Sequence, residues 1–318
     1  MKKVLALLVF GLTTLQVYSQ CCSGGVPMSG NIGLPSSEKG TWQFTASYDL
    51  NVLETLKAGT ETLDDRSRRR ETHAALFEAG YTISDKWSVD LFLSFVRQER
   101  TINQRGFSED FVYTQGIGDG VLLVKYKVTP KFTAGLGVKL PIGSSDRVRS
   151  NGTFLNADLQ PGSGAWDQVV YGSYTTQLSF RPTLTLSTTG IHRFTGTNNN
   201  YFDNGISSST YAFGDETQLI VALADRFTFG SVIIDPSLKF RYRRAGRDFF
   251  NNAQFPASGG DFVFINPGLS YAINPKLSYQ FNVELPIFAK VTDTQLSPTV
   301  RFNTGFFVVL PRKISLFN

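Results

Sequence analysis

The chain has 318 residues and a formal net charge of +5, and this composition already excludes several classes of protein. Its 31 Lys and Arg and 26 Asp and Glu are dispersed along the sequence, which argues against a nucleic-acid-binding protein. Two histidines and two adjacent cysteines leave little material for a metal centre or for histidine-dependent catalysis.

The chain begins with the pattern of a secretory signal peptide. Lys2 and Lys3 precede an apolar run over residues 4–12, and the small residue Ser19 follows. The apolar run is shorter than the roughly 20 residues that a membrane-spanning helix needs. We therefore expect residues 1–19 to be cleaved off and the rest of the chain to be exported.

Residues 20–40 are rich in glycine and show no alternation of polar and apolar side chains. Two interpretations stand: a periplasmic segment without fixed structure, the usual state of a terminus, or a segment that plugs the lumen of the domain that follows. Cys21 and Cys22 lie in this segment. The sequence leaves open a strained disulfide, a link to a partner, or no role for them.

Residues 41–318 break into segments in which apolar and polar residues alternate. In the first segment Trp42 and Phe44 fall on one face, and Gln43 and Thr45 on the other. The apolar faces run without a charge for about ten residues, close to the length that a tilted strand needs to cross a bilayer. Since every backbone group in lipid must be hydrogen-bonded, such a sheet has to close on itself. The sequence predicts an all-β fold, a closed antiparallel transmembrane β-barrel of about 12 strands, over residues 41–318.

Short and long connections alternate along the chain. The short ones lie at residues 84–86, 129–131, 180–182, 225–227 and 274–276. The long ones lie at residues 54–70, 99–115, 143–166, 195–213 and 244–261, followed by a shorter one at 292–298. Short periplasmic turns and long outer loops are typical of outer-membrane barrels. We therefore expect the chain to reside in the bacterial outer membrane.

The face predicted to line the lumen carries both acids and bases. These pore-lining candidates are Asp49, Glu78, Asp90, Asp119, Lys125, Lys127, Lys139, Asp235, Lys239, Arg241, Arg243 and Arg301. One interpretation is a polar, slightly cationic pore lining that selects permeants. The other is a set of paired side chains that fills a narrow barrel.

Three predicted strands contain a proline away from their ends, at Pro236, Pro267 and Pro286. Proline cannot donate a hydrogen bond to a sheet and is confined to edges and bulges. The three residues predict either a kinked wall with a lateral opening or ordinary bulges that curve the barrel.

The sequence offers little for catalysis. Barrel lipid hydrolases pair a histidine with a serine on the same strand face, and neither His73 nor His192 has such a serine. We therefore expect no enzyme activity, no cofactor and no metal. The arginine-rich residues 64–71 have two interpretations, a surface that binds lipopolysaccharide and a solvated loop paired with its own acidic neighbours.

Two short motifs resemble a known family. Gly116-Ile117-Gly118-Asp119 leads into a strand that ends Lys125-Tyr126-Lys127, and Leu159-Gln160-Pro161-Gly162-Ser163-Gly164 precedes another. Both are similar to signatures of the outer-membrane barrels linked to meta-pathway phenol degradation, which belong with the long-chain fatty-acid channels. The resemblance implies passive uptake of hydrophobic or aromatic solutes, with lipid, lipopolysaccharide and a small apolar solute as partners. The alternatives are a structural or surface-interaction barrel without transport and, less favoured, a barrel lipid hydrolase.

Overall fold

The computed structural model describes residues 33–35, 37–103, 108–203 and 208–312. The predicted signal peptide, Cys21 and Cys22 lie outside the described residues. Among the described residues, no helix has the length and apolar character needed to cross a membrane.

Twelve antiparallel strands form a closed barrel, which confirms the predicted fold. In chain order they are β1 (Trp42–Ala58), β2 (Arg68–Thr82), β3 (Trp87–Ile102), β4 (Asp110–Ile117 and Gly120–Lys127), β5 (Phe132–Leu140), β6 (Asp167–Leu178), β7 (Arg181–Phe194), β8 (Glu216–Ala224, prolonged by Phe227–Phe229), β9 (Val232–Ala245), β10 (Gly260–Asn274), β11 (Leu277–Val291) and β12 (Thr294–Leu310). Each strand pairs with its neighbour in the chain, and β12 pairs with β1 from Trp42↔Leu310 to Ala58↔Thr294, which closes the sheet.

The two faces of the barrel differ as the alternation predicts. The outer surface exposes large apolar side chains such as Phe77, Phe95, Leu136 and Leu219, whereas polar and charged side chains are buried inside. A Lys or Arg on the lipid face near the bilayer midplane costs about 2–4 kcal/mol, which explains this segregation. Aromatic pairs mark the periplasmic end of the apolar band, as interfacial girdles do: Trp42–Tyr81, Trp87–Tyr126 and Tyr279–Phe306.

Most of the short turns lie where the sequence places them, but one prediction is wrong. Residues 225–226 interrupt β8, and the chain reverses at Gly230 and Ser231 instead. Gly230 has φ +62°, which favours glycine, and Phe227–Phe229 pairs with Val232–Ile234. The interruption at Asp225 and Arg226 resembles a turn in sequence because its polar residues break the alternation.

Four of the six outer connections are shorter than predicted, because the strands continue beyond the apolar band, whereas those at 141–166 and 195–215 are two residues longer. The connection between β3 and β4 covers only residues 103–109, and the last one is a tight turn at Thr292 and Asp293. Asp293 has φ +56°, a conformation that Asp tolerates in such turns. The loops at 141–166, 195–215 and 246–259 are long, and the last two carry short strands at Thr197–Asp203, Ser208–Ala212, Phe249–Phe250 and Ala253–Gln254.

Candidate functional site

A continuous chain of ion pairs crosses one wall of the lumen. Lys139 contacts Asp119 at 3.3 Å and Asp167 at 2.7 Å. Arg193 links Asp167 (3.7 Å) to Glu216 (3.5 Å), and Arg243 contacts the same Glu216 carboxylate at 3.0 Å. We name these six residues, Asp119, Lys139, Asp167, Arg193, Glu216 and Arg243, the lumen ion chain. All six are buried, so their charges are neutralised by one another rather than by water.

Two further pairs lie on the same side of the lumen. The Arg241 guanidinium donates to both Glu284 carboxylate oxygens, and its Nη1 also donates to the Gln218 amide oxygen at 3.3 Å. Arg301 Nε donates to Asp49 at 2.9 Å. Together with the lumen ion chain, these contacts involve six of the predicted pore-lining residues: Asp49, Asp119, Lys139, Arg241, Arg243 and Arg301.

The opposite wall holds the start of the described chain. Lys125 pairs with Asp90 at 2.6 Å, and its ammonium donates to the Leu34 carbonyl at 2.5 Å. The Leu34 amide donates to Asp90 at 3.0 Å, and the Gly33 amide donates to Glu78 at 3.1 Å. Leu34 is buried among lumen-facing residues. Three predicted lumen residues therefore contact the end of segment 20–40.

The two sequence motifs contact each other and draw the loop at 141–166 into the barrel. The Asp119 carboxylate accepts hydrogen bonds from the Ser163 amide (2.9 Å), the Ser163 hydroxyl (2.6 Å) and the Gly143 amide (3.2 Å). Gly143 and Gly162 cross so closely that a Cβ on Gly162 would meet Gly143 backbone atoms at 2.5–2.6 Å. Only glycine fits such a crossing.

Further contacts fasten this loop across the outer mouth of the lumen. Arg70 of β2 contacts the Asp158 carboxylate at 2.6 Å, and the Thr114 hydroxyl donates to the Leu159 carbonyl. Leu159 has no exposed surface and packs with Val112 and Leu155. The loop at 141–166 therefore constricts the outer half of the lumen.

The loops at 195–215 and 246–259 are joined by aromatic packing and by one buried carboxyl. Tyr201, Tyr211 and Phe213 form a buried cluster with Ala157. Asp248 accepts hydrogen bonds from the Tyr211 hydroxyl (2.5 Å) and the Gly214 amide (2.8 Å). Burial raises the pKa of Asp248 to about 6.

At the periplasmic end of the lumen, the described residues of β9, β10, β11 and β12 enclose a cavity of about 770 Å³. Ile233, Leu277, Phe307 and Val309 contribute its apolar lining. Asp235 also borders the cavity, where Arg226 pairs with it at 2.7 Å. Lys127, at the periplasmic end of β4, is only half-buried and lies outside the lumen ion chain.

Each of the three predicted prolines lies beside an irregularity of the sheet. Pro236 is next to the interruption of β8 at residues 225–226, and the β10–β11 ladder lacks pairs at Asn266 and Pro267. Pro286 adjoins a bulge, because Phe264 pairs with Pro286 whereas Val263 pairs with Phe288. The β9–β10 ladder runs unbroken past Pro236 and Pro267.

The wall parts between β11 and β12, beside Pro286 but not at Pro236 or Pro267. The β11–β12 ladder runs from Leu277↔Val308 to Glu284↔Arg301 and ends there. Among the described residues, the outer part of β11 then pairs only with β10, and the outer part of β12 only with β1. A cluster of apolar side chains is buried behind this gap: Leu53, Leu56, Phe262, Phe264, Ala289, Val291 and Leu296.

Sequence reasoning missed Asp167, Arg193, Glu216 and Glu284, which complete the ion pairs. Asp167, Arg193 and Glu216 lie at strand ends next to the outer loops, where alternation is hardest to follow, whereas Glu284 lies in the middle of β11. In the described part of the chain, Glu71, His73 and Glu99 are close enough to hold a metal ion. However, Arg69 and Arg97 already bind the two carboxylates, at 2.5 and 2.6 Å.

No protein-family model matches the sequence, and no curated protein matches it. Two solved structures are similar in fold. An outer-membrane channel from Pseudomonas putida aligns with a TM-score of 0.64 and 13% identity, over 87% of this chain and 97% of that one. The β domain of the Bordetella autotransporter BrkA aligns with a TM-score of 0.50 and 11% identity, over 84% of this chain and 99% of that one. The outer-membrane barrel fold that the resemblance implied is confirmed, and the link to phenol degradation stays a prediction.

Proposed function

We propose that this barrel is a bacterial outer-membrane channel for the passive uptake of small hydrophobic or aromatic solutes. The observation that carries the proposal is the gap between β11 and β12, which opens beside a buried apolar cluster in an otherwise closed wall. A water-filled pore for polar solutes has no use for such a gap. The likeness in fold to an outer-membrane channel supports the proposal.

The route that we propose starts at the outer loops. Phe249 and Phe250 are partly exposed there and offer a first apolar contact. The loop at 141–166 and the ion pairs block a straight aqueous path, so an apolar solute moves along the cluster that contains Phe262 and Phe264. It then leaves through the gap into the bilayer, where transfer of apolar surface out of water is favourable.

The prolines and the start of the chain contribute to this passage. Pro286 on β11 and Pro298 on β12 flank the gap, and Pro298 lies at a register shift against β1. Neither proline can donate a backbone hydrogen bond to a neighbouring strand, so the prolines oppose pairing of β11 with β12 at the gap. We propose that residues 20–40 act as a hatch at the periplasmic side, since Gly33 and Leu34 are bonded inside the lumen.

The second candidate is a structural or surface-interaction barrel. The completeness of the lumen ion chain favours it, because paired side chains that fill a narrow barrel leave little room for passage. A channel and a filled barrel differ in whether solute crosses the outer membrane faster when the protein is present.

The test is uptake by Gram-negative cells with an intact lipopolysaccharide layer. Cells that express the barrel should take up a radiolabelled alkylbenzene several-fold faster than cells without it. They should take up a labelled disaccharide no faster. Equal alkylbenzene uptake in both strains would support the structural barrel, and faster disaccharide uptake would indicate a general porin.

A further inference from the structure

We propose that Glu71, His73 and Glu99 form a binding site for a divalent cation of the zinc class on the outward face of β2 and β3. This inference goes beyond the proposed function, because the site lies outside the lumen and takes no part in the passage of solutes. It also departs from the sequence-based expectation of no metal, since ligands from two strands produce no spacing motif in the chain.

The first argument is the position of these side chains relative to the membrane. They share the outward face of the two strands with the exposed residues Phe77 and Phe95. On β2, Glu71 lies ten residues from Tyr81 of the periplasmic aromatic girdle. Ten residues of strand rise about 33 Å, and a tilt of about 40° reduces this to roughly 25 Å along the membrane normal. The apolar band of such barrels is about 25 Å tall, so the three side chains lie at the outer interface, where ions reach them.

The second argument is the set of donor atoms. Glu71 and Glu99 are directly opposite each other in the β2–β3 ladder, where like charges repel, and His73 follows on the same face. One atom from each side chain lies within 4.8 Å of the other two. An imidazole nitrogen and two carboxylate oxygens suit Zn²⁺, with the fourth position left to water. Ligand bonds of about 2.1 Å place zinc ligands about 3.4 Å apart, so side-chain shifts of roughly 1–1.5 Å complete the site.

The third argument is the orientation of His73. Its Nδ1 is hydrogen-bonded to the Tyr48 hydroxyl at 2.6 Å, and its Nε2 lies 3.9 Å from Glu71 Oε2, too far for a hydrogen bond. A cation at Nε2 leaves the ring proton on Nδ1, where the Tyr48 oxygen accepts it. Histidines that bind metals are usually held through their other nitrogen in this way.

The fourth argument is that Arg69 and Arg97 orient the two carboxylates without closing the site. Arg69 donates only to Oε1 of Glu71, and Arg97 donates only to Oε1 of Glu99. Among the described residues, neither Oε2 atom accepts a hydrogen bond. Carboxylates that bind metals are themselves hydrogen-bonded by a surrounding shell. Arg69 also lies 3.7 Å from Glu54, so three carboxylates share two guanidinium groups, and with neutral His73 one negative charge remains for a cation.

The experiment is calorimetric titration of the refolded mature barrel in detergent with Zn²⁺ alone. The parent protein has no polyhistidine tag and carries Cys21→Ser and Cys22→Ser, because the two thiols would bind zinc themselves. We expect one Zn²⁺ per parent barrel and at least about tenfold weaker binding in His73→Gln. His192→Gln is the matched control, since His192 is the other histidine of the chain and bonds to Thr217 at 2.8 Å. It should bind zinc as the parent does.

Two further measurements separate loss of the site from loss of the fold. Retention of the folded form in unheated gel electrophoresis shows that each variant is a barrel. Glu99→Gln keeps an acceptor for Arg97 and removes a charged ligand, so it should weaken zinc binding as well. With Co²⁺ in place of zinc, the parent should show the visible absorption of tetrahedral cobalt, and His73→Gln should lack it.

Three results would overturn the site: no zinc binding by the parent barrel, equal zinc binding by the parent and His73→Gln, or an equal loss of binding in His73→Gln and His192→Gln. None of these bears on alkylbenzene uptake, which tests the proposed function by itself.

Discussion

Single carboxyl groups hold the long loops of this barrel, and each does so differently. The Asp119 carboxylate lies between the Lys139 ammonium group and three hydrogen-bond donors from the loop at 141–166. Asp248 has no cation within ion-pair distance among the described residues and is held by Tyr211 and Gly214 instead. A buried carboxyl without a paired cation resists ionisation.

Asp248 should make the packing of the outer loops depend on pH. The pKa of Asp248 is raised to about 6, mainly by burial; the hydrogen bonds from Tyr211 and Gly214 and the charge of Arg193 lower this pKa, whereas Asp158 raises it. The folded loops thus bind the proton more tightly than the unfolded chain does. The stabilisation is complete below about pH 4 and is lost as the pH rises through about 6. Hydrogen exchange in residues 246–259 should therefore be slower at about pH 5 than at about pH 7.5, after correction for intrinsic rates.

Asp248→Asn is the matched control, since the amide keeps an acceptor for Tyr211 and cannot ionise. Its loops should show the same protection at both pH values. A wild-type loop whose protection does not change with pH, or a variant that keeps the change, would contradict this assignment.

Individual lumen residues were predictable from the sequence, but their partners were not. Alternation places Lys139 and Arg243 on the inner face, because side chains on a strand point alternately to either side. It cannot show that both belong to one chain of ion pairs through Asp167, Arg193 and Glu216, since that depends on the register of five strands.

At the scale of elements, the loop at 141–166 shows why two distant motifs occur in one chain. Asp119 lies in the break of β4, and Ser163 comes just before β6. The crossing of Gly143 and Gly162 brings the backbones together so that these side chains meet. The sequence showed the motifs but gave no reason for their pairing, because tertiary contact between loops leaves no periodic signal.

Gly162→Ala should displace this loop from the mouth. The added Cβ would overlap Gly143 backbone atoms at 2.5–2.6 Å, and neither segment can yield without breaking the Asp119 contacts. We expect a loss of about 1–3 kcal/mol in unfolding free energy and a higher single-channel conductance. Denaturant titration in lipid and planar-bilayer recording measure the two effects.

Gly190→Ala on β7 is the control for this substitution, because a Cβ there meets no atom within 4 Å. It should leave stability and conductance near wild-type values. If Gly162→Ala changes stability and conductance no more than Gly190→Ala does, the crossing of Gly143 and Gly162 does not hold the loop at 141–166 in the mouth of the lumen.

At the scale of the whole molecule, the sequence was sufficient to predict the architecture of the barrel but not the gap in its wall. Strand number and the alternation of short turns with long loops follow from the sequence pattern, since lipid demands closure and an apolar exterior. The wall gap does not follow, because the segments that fail to pair, in β11 and β12, alternate like any other strand. Of the three prolines, only Pro286 indicated the gap, which it borders. The ladder between β9 and β10 continues without interruption past Pro236 and Pro267.

The central claim is that apolar solutes leave the barrel through the gap between β11 and β12. If the register of Glu284↔Arg301 continued outward, Ala289 would lie opposite Leu296, and both belong to the apolar cluster behind the gap. A disulfide between the two cysteines of the double variant Ala289→Cys, Leu296→Cys would therefore hold β11 and β12 together at the gap. A reductant would break this disulfide and release the strands.

The measurement is the rate of alkylbenzene uptake by cells that carry this double variant, oxidised and then reduced, beside cells that lack the barrel. The account predicts fast uptake for the reduced barrel and a rate near that of barrel-free cells for the oxidised one. Equal rates for the oxidised and reduced forms would contradict the lateral route. A reduced barrel no faster than barrel-free cells would contradict uptake itself.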